Sequence, residues 1–153
     1  MNRRTFLKQT LAASATLWLG VGKAFETSDT IELQAQRRLE AFKRVYFVES
    51  SNGTNPKAYI ENHARALGPL QITPVVVRDV NRILKLPVFA LSDRLELKAS
   101  RYMFNVYCKH YYPRGTVEQM CRLWYRGSNR KRQCDSHGDK YWAMCKSDMT
   151  EFK

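Results

Sequence analysis

A helical period with well-marked ends constrains this chain more than any other feature of its sequence. Asp29 followed by Glu32 is a capping-box signature, and Leu39, Phe42, Val45 and Tyr46 then recur at steps of three and four up to Glu49. One helix is therefore expected to end at Glu49. Residues 50–55 contain Gly53 and run into Pro56, so the chain must turn there. Residues 57–67 show no clean period of either kind, and Asn62-His63 suits a turn. Thr73 before Pro74 is a helix start, followed by the apolar stripe Val76, Val77, Val80 and Ile83. That β-branched stripe suits a buried helix or a strand; Arg78, Asp79, Asn81 and Arg82 supply a polar face, which favours the helix.

Downstream, Ser92-Asp93 opens what reads as the longest helix, carrying Leu95, Ala99, Tyr102, Met103, Val106 and His110 before Pro113 stops it. Thr116 with Gln119 caps another, which holds Met120, Leu123 and Trp124 and ends near Gly127. Residues 128–138 read as a basic, polar loop, and a last short helix runs through Tyr141, Trp142, Met144 and Cys145. The expected fold class is mainly α: about six helices with a small irregular lobe between the first two.

At the N-terminus, Asn2-Arg3-Arg4-Thr5-Phe6-Leu7-Lys8 matches a twin-arginine export signal and is followed by a mildly apolar stretch from Leu11 to Gly22. That stretch is shorter than the roughly 20 residues a bilayer-spanning helix needs. Residues 1–24 are thus expected to be an export signal, cleaved after Ala24 or kept as an anchor, and 25–153 one compact domain, a monomer in the bacterial periplasm or envelope. The signal carries Arg3, Arg4, Lys8 and Lys23 and no acids, so the formal charge falls from +12 to +8 on its removal. A basic exported domain prefers polyanions, which the bacterial wall supplies as peptide carboxylates and phosphates. The Lys and Arg residues are scattered along several helices and form no nucleic-acid-binding module, so no nucleic-acid partner is expected.

Cys108, Cys121, Cys134 and Cys145 all lie in the last third of the chain. Export favours disulfides, and four cysteines allow three pairings that sequence does not choose among. Buried free thiols are the alternative. No metal is expected, because the spacing lacks paired Cys-x2-Cys knuckles to combine with His110 and His137.

Glu49-Ser50-Ser51 at a helix end, followed downstream by Gly68-Pro69-Leu70-Gln71-Ile72, resembles the active-site signature of the lysozyme-like lytic transglycosylase and goose-type lysozyme group. In that group a Glu-Ser pair closes one helix and a Gly-Leu-Met-Gln-Ile-like run follows. A third element, Ala-Tyr-Asn-x-Gly or Trp-Asn-Gly-Gly, is matched by Leu123-Trp124-Tyr125-Arg126-Gly127, with Tyr125 where the group has Asn. The likeness spans roughly residues 38 to 145. It implies a lysozyme-like α+β domain, in which the lobe would be a small β-hairpin or irregular lobe, and cleavage of the β-1,4 bond between N-acetylmuramic acid and N-acetylglucosamine in peptidoglycan glycan strands, with no cofactor.

Such cleavage needs a proton on the leaving oxygen as an oxocarbenium-like centre forms. Glu49 is the implied acid, and burial beside Tyr46, Phe47 or Val48 must lift its pKa toward about 6 for it to stay protonated. Ser50 and Ser51 either orient Glu49 or satisfy the helix end. Gly68, Leu70, Gln71 and Ile72 are the implied cleft residues, with the Gln71 amide bonding the sugar or the acid or else capping a turn. Trp124 is either a sugar platform or core, and the Tyr125 hydroxyl stands in for the missing amide. Arg126, Arg130, Lys131 and Arg132 face the peptide stems or form a solvated loop. A hydrolytic lysozyme would need a second carboxylate, for which Glu61 is the candidate and a plain surface role its other reading. A lytic transglycosylase needs none, and that is the preferred expectation. A wall-binding domain weakened in catalysis is the alternative.

Overall fold

The computed structural model describes residues 28–147, so the expected export signal 1–24 and its cleavage lie outside the described residues. Six α-helices run in the order α1 (Ser28–Ser50), α2 (Pro74–Leu84), α3 (Leu97–Tyr111), α4 (Val117–Arg126), α5 (Arg130–Gln133) and α6 (Ser136–Lys146), with 3-10 turns at Pro56–Tyr59 and Leu91–Leu95. The mainly α class is as expected. Among the described residues the β content is one antiparallel bridge between Leu67 and Ile72, so the segment between α1 and α2 is an irregular lobe.

The capping signals act as their chemistry dictates. Thr73 accepts from the Val76 amide with Pro74 at the first helical position, and α2 ends at Lys85 in the left-handed conformation. Thr116 and Gln119 cap α4 reciprocally. Two expectations need correction. Asp93 accepts from the Ala90 amide at 2.8 Å and closes a 3-10 turn, so α3 begins only at Leu97. At 15 residues it is shorter than the 23-residue α1. The stretch 128–138 is also not a plain loop. Asn129 caps the short α5, and Asp135 accepts from the amides of His137 and Gly138 to start α6. Arg, Lys and Gln form helices readily once an Asx side chain supplies the start.

Helix α4 is central, packing on α1, α3, α5 and α6, while α2 packs on α3. The buried core takes Ala41, Phe42 and Val45 from α1, Met103, Phe104 and Tyr107 from α3, Met120 and Leu123 from α4, and Tyr141 from α6. Phe42 meets Phe104 edge-on at 6.0 Å, and Phe104 meets Trp124 at 5.0 Å. The four cysteines are free, against the expectation of disulfides: Cys108, Cys121 and Cys145 are buried, and Cys134 is exposed. Cys121 and Cys145 share a thiol hydrogen bond, and this bond together with burial raises the Cys121 pKa. Small buried thiols act here as core residues.

One charged side chain holds the lobe on the helices. Arg94, buried to 4 % exposure, donates to the carbonyls of Leu91 (2.7 Å), Arg65 (2.7 Å) and Ile72 (3.2 Å) and pairs with Glu61 at 3.3 Å. Its own carbonyl lies so close to Gly68 that a Cβ there would meet it at 1.8 Å, and Gly68 sits at φ +83°. Glycine is required at position 68 on both counts. Replacing Arg94 by Met leaves buried carbonyls without donors and is expected to lower the unfolding free energy by about 3 kcal/mol or more. Glu61→Gln, at a side chain 41 % exposed, is expected to cost less than about 1 kcal/mol. Urea denaturation of both variants checks the contrast, and similar losses would show that the pair rather than the carbonyl bonds anchors the lobe.

Candidate active site

Helix α1 carries Glu49 in its last turn, and no basic residue lies in that turn to offset the helix's negative end. The chain then reverses within a few residues. Ser51, Asn52 and Gly53 all have positive φ. Ser50, fully buried, donates from Oγ to the Tyr46 carbonyl at 3.1 Å and accepts from the Gly53 amide at 3.0 Å. Ser50 thus satisfies the helix end. Ser51 is exposed, and its carbonyl accepts from the Thr54 hydroxyl.

The partner of Glu49 comes from the other end of the chain. The Tyr141 hydroxyl on α6 donates to Glu49 Oε1 at 2.7 Å. Nearby, Arg44 donates to the Cys145 carbonyl at 2.8 Å, so α6 is held against α1 at two successive turns. Tyr141 is buried, and Tyr125 stacks on it in parallel, 4.5 Å between ring centroids and 5° between planes. The Arg126 guanidinium lies over Tyr125 at 5.7 Å and is itself held by Asp135 and the Arg132 carbonyl. Glu49, Tyr141 and Tyr125 therefore form one continuous stack, with Glu49 half-buried and Tyr125 exposed at 43 %.

Burial pushes the Glu49 carboxyl up to about 7, and the Tyr141 hydrogen bond pulls it partly back. Burial and the adjacent Glu49 hold the Tyr141 phenol well above its usual range, so it remains a proton-bearing donor. The arrangement presents a neutral carboxylic acid near neutrality, oriented by a phenol. That is what a general acid requires.

The other expected site residues are engaged within the scaffold rather than with this pair. Gly68 and Gln71 close a tight turn, Gln71 N to Gly68 O at 2.9 Å, and the Leu67–Ile72 bridge flanks it. Gln71 itself adopts φ +49°. Its Nε2 donates to the carbonyls of Ala58 (2.7 Å) and Gly68 (3.1 Å), and its Oε1 accepts from Asn62 at 3.1 Å. The Gln71 amide thus braces the turn against the lobe. Leu70 and Ile72 are buried in the core. Trp124 donates from Nε1 to the Leu70 carbonyl at 3.0 Å and packs on Phe104 and Tyr107. Its place in the core makes it a fastener of the Gly68–Gln71 turn. Glu61 is engaged with Arg94 and, at 3.8 Å, Arg65. Asp79 accepts from Tyr111 at 2.6 Å and from Arg82 at 2.8 Å.

Sequence reasoning placed Tyr141 on the last short helix and missed its hydroxyl bond to Glu49. The available signal was a tyrosine on the apolar stripe of a buried helix, whose hydroxyl must find a partner. Among the described residues, hollows of about 940 Å³ and about 440 Å³ mark the surface, and Glu49 lines neither of these.

The stability of the folded chain tests the buried acid directly. A folded-state pKa of about 7 against an ordinary 4.5 means that the folded state binds this proton more tightly than the unfolded one. The contribution is complete below pH 4.5 and is lost as pH rises toward 7 and above. Glu49→Gln, which keeps an acceptor for Tyr141, is expected to match the parent chain near pH 4. At pH 8 it should be more stable by on the order of 3 kcal/mol, at about 1.36 kcal/mol per pKa unit. Urea titrations at both pH values read the difference; an equal shift at each would contradict an acid buried in its neutral form.

No protein-family model, curated protein or solved structure matches the chain.

Proposed function

We propose that the chain is an exported, lysozyme-like lytic transglycosylase that cleaves the β-1,4 bond between N-acetylmuramic acid and N-acetylglucosamine in peptidoglycan. The observation that carries this reading is the Glu49 carboxyl, lifted to about 7 by burial at the end of α1 and held by the Tyr141 hydroxyl. The motif likeness at Glu49-Ser50-Ser51 and residues 68–72 supplies the substrate class, and the twin-arginine pattern at the N-terminus supplies the compartment. The net positive charge suits a wall rich in carboxylates and phosphates.

In this reading Glu49 gives its proton to the glycosidic oxygen as the bond to C1 of the muramic residue breaks and positive charge grows at C1. The carboxylate left behind then takes the proton of that sugar's own 6-hydroxyl. The 6-oxygen bonds to C1, yielding a 1,6-anhydro end and restoring neutral Glu49. No water and no second carboxylate enter. This agrees with Glu61 being engaged by Arg94 and Arg65. Tyr141 keeps the acid in one rotamer, and Tyr125, open to solvent above it, is the candidate glycan contact in the position where the resembled group has Asn.

A non-catalytic wall-binding domain is the second reading. It is favoured by the engagement of Gln71 and Trp124 within the scaffold, which leaves few polar groups near Glu49 for the sugar. Digestion of purified peptidoglycan by the parent chain and by Glu49→Gln, with mass analysis of the muropeptides, separates the readings. Products lighter by one water than hydrolysed ones, absent with the variant, are expected. Hydrated products would instead indicate a lysozyme, and binding without release would indicate the wall-binding domain.

The pH profile gives a further test. Activity is expected to fall as pH rises through about 7, where Glu49 loses its proton. Because the Tyr141 bond lowers the Glu49 pKa, Tyr141→Phe should move that alkaline limb upward while reducing the maximal rate about tenfold or more through a less oriented acid. A downward move of the limb would contradict the assigned role of Tyr141.

A further inference from the structure

The groove of about 940 Å³ lies across the N-terminal half of α1, the end of α2 and the outer face of α3, away from Glu49. Its floor is aliphatic: Leu39 from α1, Ile83 and Leu84 from α2, Val106 from α3. Leu39 and Tyr102 remain exposed at 37 % and 54 %. These are large apolar surfaces to leave open on a strongly basic chain.

Charge is confined to the two ends of that floor. Arg101 stands over the Phe42 ring at one end, 5.4 Å from its centroid. At the other end Arg38 reaches the neighbourhood of Cys108, beside Lys109 and His110. From Arg101 to His110 the groove follows α3 for about 14 Å at 1.5 Å per residue. Glu32, bonded by Gln36 at 3.4 Å, is the groove's one carboxylate, so Arg38, Arg101 and Lys109 against Glu32 leave +2. All three walls are helices, so the groove offers no sheet edge to an extended peptide. A purely polar anion would leave the aliphatic floor uncovered.

We propose that this groove binds a single anionic amphiphile, its acyl chain along Leu39, Ile83, Leu84 and Val106 and its phosphate or carboxylate head at the Arg38–Lys109 end. Each buried methylene adds to the affinity, and the head gains charge-assisted bonds that the chain alone lacks. The proposal is independent of whether Glu49 cleaves glycans. It assigns to one face of the molecule a lipid-type ligand and leaves the Glu49 end of α1 free for a second partner.

The experiment is calorimetric titration of the full chain with dodecyl phosphate below its micelle concentration, with inorganic phosphate and dodecyl maltoside as parallel arms. Saturable one-to-one binding of dodecyl phosphate, tighter by at least about tenfold than either control, is expected. Lys109→Glu and Leu39→Glu, both at exposed positions, should each weaken it about tenfold with circular dichroism and melting unchanged. Inorganic phosphate binding as tightly would reduce the site to a surface anion contact, and dodecyl maltoside binding as tightly to an apolar patch; either overturns the proposal. So would an absence of binding in all arms, indifference to both substitutions, or displacement by an acidic amphipathic peptide of higher affinity, which would mark a protein-docking groove.

Discussion

The hydrogen bond from the Tyr141 hydroxyl to the buried Glu49 carboxyl, which burial lifts to about 7, is the interaction on which this end of the molecule depends. A carboxylate at the end of α1 is disfavoured three times over: by burial, by the negative end of the helix, and by the absence of any basic residue in the last turn. Tyr141 is the one group that stabilises the charged form, and a phenol does so more weakly than an arginine would. The balance sets the acid near neutrality. A salt bridge at the same place would have held Glu49 ionised and made it useless as a proton donor.

That balance requires a frame that does not yield. The reversal after α1 uses three consecutive positive-φ residues, with Ser50 closing the last carbonyl of the turn before it. The Gly68–Gln71 turn is held from two sides, by Trp124 on the Leu70 carbonyl and by Arg94 on the Ile72 carbonyl. Neither donor comes from the lobe itself. The residues that look like cleft residues in the sequence are therefore mostly fasteners between the lobe and the helices, and the side chain bonded to Glu49 comes from α6, with Tyr125 of α4 stacked behind it. An irregular segment with a single β bridge among the described residues has no ladder, so the side-chain donors to its carbonyl oxygens add to the turn bonds of its own backbone.

Helix α1 connects two chemically different surfaces. Its C-terminal turn carries a carboxyl with a raised pKa bonded to a tyrosine, and its N-terminal half borders a groove lined by aliphatic and basic side chains. At about 35 Å for 23 residues, the helix is long enough to keep the two apart. The core grips it through Ala41, Phe42 and Val45, which lie between the two surfaces.

How much of this was legible in the sequence follows from the range of each interaction. Caps and periods act over three or four residues, so Thr73-Pro74, Thr116 with Gln119, and the helix ending at Glu49 could be read directly. The competing Asx and 3-10 geometries at Asp93, Asn129 and Asp135 are equally local, but a period count gives them less weight than the apolar stripes around them, and they shifted two boundaries. The candidate acid was legible because its residue type and its place at a helix end are both local properties. What lifts its pKa was not, since burial and the Tyr141 hydroxyl depend on a partner 92 residues away. The same holds for Arg94, whose carbonyl partners lie up to 29 residues distant, and for the cysteines, whose spacing says nothing of thiol orientation in the core. Sequence alone determined a helical chain that offers Glu49 at the end of its first helix, because hydrogen bonding along one chain settles helices. Only the tertiary structure decided that the Glu49 pKa is raised and that Gln71 and Trp124 are braces, because desolvation and long-range donors exist only once the helices have packed.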